Sequence, residues 1–125
     1  MLAADVGKLS LHGWLTAHLS QKDGNELDIF FKTVDDKPVP IPVAKFAARA
    51  KRAADDTEHE LLFEPAPMDE RTGDPPGACS HFVAKAPWMT RDDVLTVRTE
   101  VEVEGKPRKA TWSKFEVKKY THHED

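Results

Sequence analysis

Leu95 to Glu104 alternate strictly along the chain: Leu95, Val97, Thr99, Val101 and Val103 fall on one face, and Arg98, Glu100, Glu102 and Glu104 on the other. A period of two is the signature of a half-buried strand, because successive side chains of an extended backbone point to opposite sides of the sheet. Glu104-Gly105-Lys106-Pro107 supplies turn chemistry, and Ala110 to Tyr120 resumes the pattern with Trp112, Phe115, Val117 and Tyr120, so the two segments predict a hairpin. The N-terminal third repeats this logic. Leu9 to Leu19 places Leu9, Leu11, Gly13, Leu15, Ala17 and Leu19 together. After the polar turn Gln21 to Asn25, Leu27, Ile29, Phe31 and Thr33 form the inner face of a second strand.

Asp35 to Pro38 turns the chain again, and Val39-Pro40-Ile41-Pro42-Val43 reads as extended and at best an edge strand, since proline cannot donate to a ladder. Val43 to Ala54 fits two templates: Val43, Phe46, Ala47 and Ala50 have helical spacing, while Phe46, Ala48 and Ala50 alternate. Its extended neighbours favour a strand, and a short helix over 43–54 is the alternative. Glu60 to Phe63 is a further short strand. A proline- and glycine-rich loop runs from there to Ala78, and His81 to Ala86 carries Phe82, Ala84 and Ala86 on one face. Seven to eight short strands separated by regular turn signals predict an all-β, immunoglobulin-like antiparallel sandwich, formed by residues 1–125 as one domain.

The chain has 125 residues, enough to bury roughly two thirds of its unfolded surface. With 39% hydrophobic and 32% charged residues it has the balance of an ordinary globular domain, neither disordered nor membrane-spanning. A net charge of −4 argues against nucleic acid, because Lys45, Arg49, Lys51 and Arg52 are followed at once by Asp55, Asp56, Glu58 and Glu60. No stretch approaches the roughly 20 apolar residues of a transmembrane helix, so no membrane insertion is expected. The start Met1-Leu2-Ala3-Ala4-Asp5 reads as a methionine set on a mature chain whose targeting segment has been removed, which favours an exported, periplasmic location over a cytoplasmic one. One cysteine, Cys79, makes no internal disulfide and leaves the redox compartment open.

In their order, the segments HGWLTAHLSQKDGNELDIFF, KPVPIP, LLFEPAP, GACSHFVAKAPWM and VLTVRTEVEVEGKP, with a histidine-containing tail, resemble small extracytoplasmic β-sandwich domains of the FixH/YtkA-like type, also found as accessory domains beside heavy-metal efflux systems. The resemblance implies a non-catalytic binding or accessory domain associated with metal handling, and brings no catalytic residues with it.

The residues themselves offer scattered metal ligands. Cys79 and His81 stand two apart, which on a regular strand puts both on one face with Cα atoms roughly 6.6 Å apart. His12 and His18 share the outward face of the first long strand, and His122 and His123 lie in the polar tail. Thiolate and imidazole suit Zn or Cu alike, but a closed zinc site needs about four ligands and one strand supplies two. Cys79 and His81 are therefore expected to be mainly structural, with modest metal affinity at the histidines near the chain ends. No nucleophile with a base beside it can be read, so no enzyme is expected. Trp14 points away from the leucine face and marks a candidate surface for a protein partner. A protein-interaction or adhesion-like module without metal is thus the alternative function.

Overall fold

Among the described residues the chain forms nine strands: β1 (Leu2–Asp5), β2 (Leu11–Leu19), β3 (Glu26–Thr33), β4 (Phe46–Arg52), β5 (Glu58–Pro65), β6 (His81–Lys85), β7 (Val94–Val103), β8 (Lys106–Glu116) and β9 (Thr121–His123). The structure is a computed structural model and describes residues 2–5, 11–20, 24–33, 35, 37–41, 45–66, 79–103 and 106–123. It is all-β, and no described residue is helical. Residues 46–52 of the ambiguous segment are strand β4: Phe46, Ala48 and Ala50 are buried, while Ala47, Arg49 and Lys51 are exposed. The turn centred on Glu104-Gly105 and the greater part of the long loop, residues 67–78, lie outside the described residues.

The strands hydrogen-bond in the continuous order β1-β2-β3-β6-β5-β4-β7-β8, with β9 beside β2. All neighbours are antiparallel except β2 and β9. β5 joins the two halves, pairing with β4 from Glu58 to Phe63 and with β6 through Glu64 and Pro65. At the far ends of the path β1 and β8 approach each other, so the sheet is nearly closed, like a barrel. Across that closure the Trp112 indole N–H donates to the Gly13 carbonyl at 2.9 Å. β1 and β9 escape the sequence pattern because three or four residues are too few to register a period.

The enclosed core holds Leu15, Leu27, Ile29, Phe31, Phe63, Phe82, Trp112 and Phe115. Phe46 of β4 ties the halves together: its ring lies edge-on to Phe31 and Phe82, with centroids 5.9 and 5.0 Å away, and stacked on Phe63 at 5.2 Å. Such aromatic pairs each contribute about 0.5–1.5 kcal/mol beyond the area they bury. The β2–β3 hairpin is closed at Gly24, whose φ of 85° lies in the left-handed region that suits glycine, and whose N–H donates to the Ser20 carbonyl at 3.0 Å. That closure sets a register without slips, from His18 opposite Glu26 to Leu11 opposite Thr33.

Candidate functional site

With Leu15 and Ala17 of β2, Leu27, Ile29 and Phe31 of β3, and Phe82 and Ala84 of β6 committed to the core, their alternate residues form one outward face. β2 contributes His12, Trp14, Thr16 and His18; β3 contributes Glu26, Asp28, Phe30 and Lys32; β6 contributes His81, Val83 and Lys85. Pairing sets the neighbours: Trp14 lies opposite Phe30, Thr16 opposite Asp28, His18 opposite Glu26, and Phe30 opposite His81.

This face is not a uniformly solvated one. Asp28 is 8% exposed, and its Oδ1 is buried with no hydrogen-bond partner. Its Oδ2 lies 3.5 Å from Nε2 of His81, which likewise makes no hydrogen bond. The His81 ring stacks on Phe30 with centroids 4.1 Å apart, which fixes its plane. One ligand atom each from His18, Glu26 and Asp28 lies within 4.8 Å of the others. Glu26 Oε1 is 3.9 Å from Nδ1 of His18, and its Oε2 is 3.4 Å from the exposed Lys85 ammonium. The His18 and Glu26 side chains keep 21% and 19% exposure, so the cluster opens to solvent on their side. Glu26 also borders a groove of about 540 Å³ lined by Glu60, Leu62, Glu64, Val83 and Lys85, where Leu62 is the exposed large apolar residue among those described.

No family model, curated protein or solved structure matches this chain. The site therefore stands on its own geometry.

The expected pairing of Cys79 with His81 on one face is corrected. The chain bends at Ser80, which breaks the alternation that would have aligned them. Cys79 is 1% exposed within the core, where it bridges to Ile41 and its thiol donates to the His81 carbonyl at 2.8 Å. The His81 ring lies on the opposite, outward face. Of the other expected ligands, His18 joins the cluster. His12 stands six residues further along β2, about 20 Å away at the rise of a strand, opposite Lys32. His122 is the backbone register partner of His18, and His123 that of Leu19; their side chains lie outside the described residues. Trp14 is half-buried on the outward face, and its indole N–H is buried without an acceptor.

Glu26 and Asp28 were not among the expected ligands. Their signal was present, since a hairpin closed between Ser20 and Asn25 with no slip sets Glu26 against His18 and Asp28 one pair further on. On the other half of the sheet, a groove of about 450 Å³ over β5, β4, β7 and β8 interleaves Arg49 and Arg98 with Glu58, Glu60 and Glu100, a solvated face of mixed charge.

Proposed function

We propose that this chain is a non-catalytic binding domain of an exported system, that its ligand is a metal ion, and that the outward face of β2, β3 and β6 is its working surface. The observation that carries the reading is the buried carboxylate of Asp28 with a hydrogen-bond vacancy at Oδ1, set among two histidines and a second carboxylate. A buried polar atom without a partner is a cost that folds seldom leave standing, and a cation removes it. The resemblance to FixH/YtkA-like and efflux-accessory domains supports the same association with metal handling and an extracytoplasmic location. A non-catalytic role is supported by Cys79, whose thiol is enclosed in the core and engaged with a backbone carbonyl, out of reach of an external substrate.

In this reading the barrel-like sheet is a flattened, immunoglobulin-like sandwich whose layers share β5 as a corner strand. Nucleic acid is not a partner, in keeping with the net charge. Among the described residues no helix is long and apolar enough to cross a membrane.

Equilibrium dialysis of the purified chain against Zn(II), Cu(II), Ni(II), Ca(II) and, under reducing conditions, Cu(I) tests the function. One ion retained per chain is expected for at least one of them; none retained for any would overturn it. A second reading is favoured by Trp14: its unpartnered indole N–H beside Phe30 suits a protein-interaction module that buries this face against a partner without metal.

A further inference from the structure

Resting on the metal-binding reading, we propose that His18, Glu26 and Asp28 form a nitrogen–oxygen site for a borderline divalent cation of the Zn(II) class, with His81 set behind Asp28 and with Cys79 outside it in the core.

Four observations converge. Each residue comes from a strand hydrogen-bonded to the next, so the donors sit on a scaffold fixed by β2, β3 and β6 rather than on loops. The ligand atoms of His18, Glu26 and Asp28 are already within 4.8 Å of one another, and His81 Nε2 is 3.5 Å from Asp28. Tetrahedral bonds of about 2.0–2.2 Å put ligand atoms about 3.4 Å apart, a closure that side-chain rotation supplies.

One local alternative to a cation, a neighbouring hydroxyl, is also spent. Thr16 lies directly opposite Asp28 and is the hydroxyl best placed to donate to it, yet Thr16 Oγ1 donates to the Tyr120 carbonyl at 2.7 Å. Among the described residues no lysine or arginine pairs with Asp28, and Lys85 reaches only Glu26 from the solvent side. Two carboxylates thus share the cluster with one imidazole, and a single solvent-exposed ammonium, that of Lys85, reaches only one of them, a negative balance that a divalent ion offsets.

The donor set then selects the metal. An imidazole and two carboxylates suit Zn(II) and its neighbours in the first transition row. Cu(I) prefers thiolate and thioether, which this face does not offer, and Ca(II) prefers an all-oxygen shell. The stacked Phe30 holds the His81 ring beside Asp28, so that His81 can orient this carboxylate from outside the ligand set.

The test is competitive titration of the full chain with Zn(II) chloride, together with X-ray absorption of the loaded protein. One Zn(II) per chain is expected, with nitrogen and oxygen scatterers alone at about 2.0–2.2 Å. Asp28→Asn, His18→Ala and the more exposed Glu26→Gln should each weaken binding at least about tenfold. Cys79→Ala and His12→Ala should leave it unchanged. Circular dichroism identifies any variant that fails to fold, and Glu26→Gln stands as the arm least exposed to that failure. A sulfur scatterer, loss of Zn(II) in Cys79→Ala, or wild-type affinity in Glu26→Gln and Asp28→Asn would overturn the site while leaving metal binding intact. A wild-type chain that retains no metal at all would overturn both.

Discussion

Asp93 shows how much a single buried carboxylate organises here. One oxygen accepts from the Arg52 guanidinium at 2.8 Å, the other from the Thr90 backbone N–H at 2.7 Å and the Thr90 hydroxyl at 3.1 Å, and its own carbonyl accepts from Val117. Burial pushes its pKa up, but the Thr90 N–H, the Arg52 guanidinium and the Thr90 hydroxyl together hold it below the ordinary aspartate value. Its ionised form therefore stabilises the fold above an unfolded pKa near 3.9, and that contribution is lost as pH falls through the lower folded value. Asp93→Ala should cost about 2–4 kcal/mol in urea unfolding at neutral pH, and Asp93→Asn should flatten the acid limb of the stability profile. An acid limb of unchanged slope in Asp93→Asn would place the titrating group elsewhere. Sequence could not mark this residue, because Asp92 and Asp93 are equivalent in pattern and the partner Arg52 is 41 positions away. Cys79 and His81 misled for the converse reason: alternation was extended through Ser80, where the backbone bends.

At the scale of elements, the long strands were legible because one buried face imposes a period of two, as β7 and β4 show, whereas β1 and β9 depend on β2 for their existence. β8 contains an irregularity that no pattern announces. Leu95 pairs with Phe115 but Val97 with Trp112, so Ser113 and Lys114 together oppose Thr96 in a bulge. Lys114 takes φ of 53° there, a left-handed conformation that costs a side-chain-bearing residue about 1 kcal/mol. Because Lys114 is exposed, Lys114→Gly should stabilise the domain by about 0.5–1 kcal/mol through relief of that strain, and Lys114→Val should destabilise it. Urea midpoints of the two variants check the sign; a loss of stability in Lys114→Gly would mean that the lysine side chain contributes more than the strain it carries. The candidate site belongs to this scale as well. His18 was legible from β2 alone, but Glu26 and Asp28 come beside it only through the β2–β3 register, and His81 comes beside Asp28 only through β6.

For the whole molecule, the near-closure of the sheet links the candidate site to global stability. The strands that hold the cluster share their core with the rest of the barrel: Phe31 and Phe82 sit behind the outward face and contact Phe46 on β4, and Trp112 of β8 bonds to Gly13 of β2. A domain of 125 residues with one continuous core is expected to unfold as a single unit, so the site disappears when any part of the barrel opens. A ligand that binds the folded state alone then stabilises all of it, by about 2.7 kcal/mol at a concentration one hundred times its Kd. For a chain of this size that shift raises the thermal midpoint by roughly 10 °C. Scanning calorimetry of the chain with and without Zn(II) chloride should show this rise in one cooperative transition, absent from Asp28→Asn and retained in Cys79→Ala. The same rise in Asp28→Asn, or a split transition in which only part of the heat responds to Zn(II), would contradict a single, nearly closed sheet stabilised through β2, β3 and β6.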